Sequence, residues 1–263
     1  TEMMLRYFME KVSPKPRLFR PQVVVSIPSG VTSVEKRAVL EASMQAGAKH
    51  TYIIHEPMAA AIGAGIDINE ASGNMVVDIG GGTTNIAIIC LGGIVVSESL
   101  RVAGDKFDEA LIKYIKKMYN LMIGERTAEE IKIRIGSAYP EGEGKVMDIK
   151  GRDLVTGLPR IIRFTSADSS QALSDPITIV IDGIKSVLER TPPELASDIV
   201  DKGIVLTGGG AMLDGFTKLL SEETGIPIHL AEDPLSCVVL GTGKVLESID
   251  LQKSNLIIGS RSV

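Results

Sequence analysis

Two runs of three glycines set the first constraint. Gly80-Gly81-Gly82 and Gly208-Gly209-Gly210 each follow a short stretch rich in β-branched residues. Glycine is disfavoured inside helices and strands, so the chain must turn at both places. The first run joins a strand-like segment at 75–79 to another at 85–90, with Thr83 and Thr84 between them. Glycines there let backbone N–H groups approach an anion that side chains would hold off. Asp78 sits near the end of the first segment, where a buried charge is costly unless something pairs with it. A hydrated Mg2+ carried by phosphates would do so, because Mg2+ keeps its waters and uses few carboxylates. A plain glycine hairpin with an Asp turn residue fits the same letters. The second run leads from a strand at 203–206 into a helix start, aiming free N–H groups at a phosphate or ribose. Its alternative is a tight strand-to-helix turn, and no G-x-G-x-x-G pattern is present.

The rest of the chain alternates in a way that implies an α/β layer architecture. Leu5, Phe8, Met9 and Val12 have helical spacing, and a proline-rich connector follows at 13–21. The run 22–27 reads as a strand. Thr32 and Glu35 form a capping box for a helix carrying Val34, Ala38 and Met44 that Gly47 stops. A strand is expected at 51–54 and an Ala-rich helix at 57–64. Segments 75–79, 85–90 and 94–100 read as an antiparallel meander. A helix at 105–122 would bury Phe107, Leu111, Ile115, Met118 and Met122 on one face. Thr127 and Glu130 suggest a second capping box, for a helix ending near Gly136. Short strands are expected within 140–165. The tail reads as a helix around 177–189, a strand at 203–206, a helix after Gly210, a strand at 227–230 and a last helix from Pro234. The segment 256–263 carries no assignable role.

With 28 basic against 33 acidic residues and a net charge of −5, the chain lacks the basic footprint of a nucleic-acid binder. Cys90 and Cys237 lie in apolar surroundings without metal-ligand spacing, and read as buried thiols of a reduced cytosolic protein. No apolar run reaches the roughly 18 residues that a membrane span requires, so any membrane contact is expected to be peripheral.

Two further features carry chemistry. Glu56 closes a strand and opens a helix, where the helix dipole favours a carboxylate; facing a triphosphate, it could instead orient a water for attack on phosphorus. Leu18 and Phe19 sit between Arg17 and Arg20. Buried, they would plug a core; exposed, they would enter acyl chains while the arginines met anionic headgroups.

Four spans, 55–66 (HEPMAAAIGAGI), 76–89 (VVDIGGGTTNIAII), 203–216 (GIVLTGGGAMLDGF) and 234–247 (PLSCVVLGTGKVLE), resemble the connecting, phosphate and adenosine motifs of the actin superfamily. The blocks 124–129 (GERTAE), 151–159 (GRDLVTGLP) and 189–195 (ERTPPEL) resemble the MreB branch in particular. The resemblance runs along essentially the whole chain. It implies an actin-like two-lobe ATPase fold with ribonuclease H-like lobes and a small inserted α+β subdomain. The first lobe would be 1–70 with 236–263, the second 71–106 with 170–235, and the insertion 107–169.

By the same resemblance, ATP and Mg2+ are the expected cofactors. Asp78 would stand near the metal through water, and Gly80, Gly81, Gly82, Thr83, Thr84 and Asn85 would surround the γ-phosphate, with Thr83 beside the reaction. Glu56 would position the attacking water. Gly208, Gly209, Gly210 and Met212 would hold ribose and adenine, while Glu129 and Lys132 would close the adenosine pocket, unless they are an ordinary solvated charge pair. Leu18 and Phe19 match a short apolar membrane loop, a weak hold per subunit that filament assembly would multiply. The implied partners are further copies in a filament, the inner membrane surface and the cell-wall elongation machinery; the implied place is the cytoplasm, at the inner membrane face. His55 stands where an acid is usual, and Asn85 where a carboxylate is usual. A counterpart of the superfamily's first phosphate loop is absent from these 263 residues. That leaves either a shortened chain or one with half its phosphate clamp; the latter is expected to bind nucleotide weakly, hydrolyse little and expose a sheet edge. A non-hydrolysing scaffold, or a chaperone- or kinase-type ATPase of the same core, are the alternative functions.

Overall fold

The computed structural model describes residues 2–12, 20–139, 144–249 and 257–260. In chain order, its elements open with α1 (Glu2–Val12), β1 (Gln22–Ile27), α2 (Ser33–Ala46), β2 (His50–His55) and α3 (Glu56–Gly63). The meander β3 (Asn74–Ile79), β4 (Thr84–Cys90) and β5 (Gly93–Leu100) follows, then α4 (Gly104–Tyr119), β6 (Leu121–Met122) and α5 (Glu125–Ile135). Next come β7 (Val146–Asp153), β8 (Pro159–Thr165), α6 (Ser166–Glu189), α7 (Pro193–Lys202) and β9 (Ile204–Thr207). A short 3-10 helix (Gly209–Met212), α8 (Phe216–Thr224), β10 (Ile228–Leu230), α9 (Cys237–Glu247) and β11 (Ile257–Ser260) complete it.

Among the described residues the strands form three sheets, ordered β1-β2-β11, β10-β9-β3-β4-β5 and β6-β7-β8. In the five-stranded sheet β3, β4 and β5 are antiparallel neighbours, whereas β9 joins β3 in parallel. β3 is buried along its whole length, and its two faces serve two cores. Met75, Val77, Ile79, Ile86 and Ile88 pack with Phe107, Leu111 and the α6 residues Ile177 and Ile184. Val76, Ala87 and Ile89 pack instead with Met58, Ala59 and Ile62 of α3 and Val245 of α9. Period-two alternation therefore places Asp78 and Asn85 on the α3 face of the sheet, the face of Val76 and Ala87.

The helices α3 and α9 approach backbone to backbone. A methyl group on Gly63 would overlap the Cys237 carbonyl, and one on Gly241 the Ala59 carbonyl. The alanine run and these glycines allow a contact that larger side chains would wedge apart.

Several expectations from the sequence need correction. α4 ends at Tyr119 because Asn120 adopts the left-handed conformation, so Met122 lies on a strand; Met118 and Met122 are exposed rather than part of the buried face. α5 starts after Gly124 without a side-chain cap, and Thr127 is already inside its first turn. α6 begins at Ser166, not near 177, on a capping box of Thr165 and Asp168. α7 went unread; Pro193 at its first position was the available signal. Val34 is exposed, and Cys90 is only half-buried while Cys237 is buried. The Thr32–Glu35 capping box and the Gly47 stop form as expected. The segment 257–260 adds a strand antiparallel to β2. Among the described residues no helix is long and apolar enough to cross a membrane.

Candidate functional site

The five-stranded sheet delivers both glycine runs to one place. β3 and β9 are parallel neighbours with Asp78 opposite Thr207, so the turns leaving them emerge side by side. A cavity of about 920 Å³ opens there, within the roughly 300–1,000 Å³ of small-molecule sites. Gly80, Gly81, Gly82 and Thr83 line one wall; Gly208, Gly209, Gly210 and Met212 line another. Glu56 and Asp78 lie at the cavity, and Glu129 and Lys132 reach it from α5.

The first glycine loop is tied to the start of α4. Gly104 N–H donates to the Gly80 carbonyl at 3.1 Å and Asp105 N–H to the Gly81 carbonyl at 2.8 Å. These bonds occupy two of the N–H groups that a helix start leaves without intrahelical partners. The second run does not open an α-helix: it forms the single 3-10 turn Gly209–Met212, and α8 begins only at Phe216. The expected helix N-terminus is therefore not built there.

Asp78 is 5% exposed, and its Oδ1 accepts a hydrogen bond from Thr207 Oγ1 at 2.9 Å. Burial pushes its pKa up, and the Thr207 hydroxyl only partly offsets this. The pKa of Glu56 is raised to about 6, first by burial and then by the charge of Asp78, against the Asn85 amide that favours the ionised form. Two carboxyls held above their ordinary range in one cavity form a site suited to positive charge. Within the described residues, however, no group of three or more metal-ligating side chains is assembled. A metal here would therefore be held largely through water or through a ligand's own oxygens.

Lys132 and Glu129 are not paired with each other. Lys132 Nζ binds Asp108 Oδ2 at 2.8 Å and the Gly104 carbonyl at 3.1 Å, so a largely buried ion pair replaces the solvated pair that spacing suggested. Thr84 and Asn85 do not line the cavity. Thr84 Oγ1 donates to the Val102 carbonyl at 2.7 Å, and Asn85 stands behind Glu56, bonded to it at 2.6 Å. Asp105, Asp108, Ile133 and Leu235 also line the cavity and went unread. The acid pair Asp105 and Asp108 at the α4 start, and the place of Leu235 within the 234–247 motif, were the visible signals. Leu18 and Phe19 lie outside the described residues.

Comparison with known proteins fits this geometry. A family model described as MreB/Mbl protein matches residues 1–254. The cell shape-determining protein MreB of Escherichia coli is 50% identical over 257 residues, which cover 97% of this chain and 74% of that protein. The crystal structure of MreB5 of Spiroplasma citri bound to ADP superposes with a TM-score of 0.90 at 37% identity, over 97% of this chain and 78% of that one. A MamK double helical filament structure shares the fold, with a TM-score of 0.79 at 22% identity over 94% of this chain and 74% of that one.

Proposed function

The chain belongs to the MreB/Mbl family, and on that premise we propose that it binds ATP with Mg2+ between its lobes, hydrolyses it slowly and assembles into cytoskeletal filaments that determine cell shape. The observation that carries this reading is the convergence of two glycine loops and two carboxyls with raised pKa on one cavity. The lobes are taken as 1–70 with 236–263 and 71–106 with 170–235, with 107–169 inserted.

The residues fit the cofactor. Among the described residues, Asp78 is a buried carboxyl whose hydrogen-bond partner is the Thr207 hydroxyl, an arrangement that a hydrated dication would complement. Bound Mg2+ would supply neutralisation of phosphate charge. Gly80 to Thr83 would wrap the terminal phosphate with backbone N–H groups. Met212, exposed on the second loop, would pack on the base, with Glu129 and Lys132 at its rim. Glu56 would hold the attacking water and take up its proton as the bond to the β,γ-bridging oxygen breaks and the electron pair leaves with ADP.

Membrane attachment at the inner face of the cell membrane is proposed on Leu18 and Phe19 with Arg17 and Arg20, as a weak contact repeated along a filament. Partnership with the cell-wall elongation machinery belongs to the same reading.

The test is titration of a fluorescent ATP analogue with and without Mg2+, with phosphate release and light scattering followed in parallel. Magnesium-dependent binding, slow release and nucleotide-dependent scattering are the expected results. No saturable binding at millimolar nucleotide would leave only the non-hydrolysing scaffold.

A further inference from the structure

We propose that Asn85 is a positioning residue: it holds the Glu56 carboxylate in one orientation, with one oxygen occupied and the other left for the cavity. This rests on the hydrolytic reading above and reassigns Asn85 from a ligand of the nucleotide to a support of the base.

The orientation of the Asn85 amide is settled by its neighbours. Its Oδ1 accepts from Ser99 Oγ at 2.8 Å and from the Ser29 backbone N–H at 3.4 Å. Reversed, the NH2 would face the Ser29 N–H, which cannot accept. Nδ2 therefore points at Glu56 Oε2, 2.6 Å away, with Thr83 Oγ1 a longer neighbour at 3.4 Å. The amide is fully buried on β4, between β5, which supplies Ser99, and the loop after β1, which supplies Ser29. β5 and the loop after β1 thus both hold this side chain, whose short outward contact is with Glu56.

In this chain the amide suits its surroundings. Asp78 on β3 already repels charge on Glu56. His55, adjacent in sequence, is held below its ordinary pKa by burial and Lys36, so it supplies no positive charge near neutral pH. A carboxylate at 85 in this pocket would remove the amide donor and raise the pKa of Glu56 further. The neutral donor keeps Glu56 ionised and fixes which oxygen is free.

The experiment compares the wild type with Asn85→Asp, Asn85→Leu and Ser99→Ala, each first checked for a cooperative thermal transition. Three quantities are read: nucleotide Kd, single-turnover hydrolysis across pH 5–9, and the Glu56 carboxyl band in the infrared, identified by its loss in Glu56→Gln. A positioning role predicts Kd within about threefold of wild type. It also predicts hydrolysis down at least tenfold in Asn85→Leu, an acid limb moved to higher pH in Asn85→Asp, and a smaller loss in Ser99→Ala. Hydrolysis and Kd weakening together by the same factor would make Asn85 a nucleotide ligand and overturn the proposal. Should the wild type itself not hydrolyse ATP, the hydrolytic reading falls, and the infrared band decides on its own. A Glu56 band that titrates identically in wild type and Asn85→Asp sinks the positioning role; a band moved to higher pH upholds it. A variant that loses its thermal transition is replaced by Ser99→Ala, which leaves the amide in place and is judged by the same split.

Discussion

The two glycine runs share their letters and almost nothing else. At the second run, packing forces glycine. Gly208 has φ 83, and a methyl group there would overlap the backbone of Ile79; one on Gly210 would press into the Ile79 side chain. At the first run only Gly80 is tight, a Cβ there lying 3.3 Å from the Thr83 carbonyl oxygen, while the two glycines after it have room. A Cβ on Gly81 would sit 3.5 Å from an Asp105 carboxylate oxygen, and one on Gly82 3.9 Å from the other oxygen, both ordinary contacts. The second loop is glycine so that it can lie against the strand carrying the first. The first, at Gly81 and Gly82, faces the cavity, and on the reading proposed above it is glycine for the sake of the ligand. A shared motif can thus hide one architectural requirement and one functional one.

The sharpest way to break this contrast is Gly208→Ala. Left-handed strain and backbone overlap together are expected to cost about 3 kcal/mol or more of unfolding free energy. Chemical denaturation checks it, and a loss under about 1 kcal/mol would show that the second loop yields where it is described as rigid.

Gly81→Ala should behave oppositely. Its stability is expected to stay within about 1 kcal/mol of wild type, on either side, because the site accepts a Cβ and the unfolded chain loses freedom. Affinity for magnesium-ATP is expected to fall at least tenfold, about 1.4 kcal/mol. Equal losses of stability and affinity in the two variants would erase the distinction between the loops.

The same contrast marks what sequence could reveal. The meander, the Thr32–Glu35 cap and the Asp78 and Glu56 positions follow from alternation, capping chemistry and turn residues, all local signals. The α4 end was missed because Asn120 takes a left-handed conformation that apolar spacing does not register. The α6 start was missed although Thr165 and Asp168 spell a capping box, because the helix continues through Pro176, a residue that usually marks a break. Asn85 and Lys132 were placed in the site by resemblance. Their actual partners, Ser29, Ser99, Asp108 and Gly104, come from other elements, and long-range pairing leaves no trace in spacing. Ile79 as the reason for Gly208 is likewise visible only once β3 and β9 are neighbours.

The smallest expected effect concerns charge rather than space. If the cavity serves a cation-bearing ligand, its carboxyls should be a burden without that ligand. Glu56 has its pKa raised from 4.5 to about 6 in the folded protein. The folded state therefore holds this proton more tightly than the unfolded one. The associated stability is fully present below about pH 4.5 and is lost as pH rises through 6. Glu56→Gln stays neutral throughout, and its amide oxygen can still accept from Asn85. At pH 7 without ligand it is expected to be more stable than wild type by about 1 kcal/mol, after allowance for the part of Glu56 that solvent screens. The gain should fade toward pH 4.5, where both proteins carry a neutral side chain. Denaturant midpoints at pH 4.5 and 7 decide it. A Gln variant less stable at pH 7 would mean that Glu56 is stabilised by its own fold, and that the charge in this cavity is not held ready for a ligand.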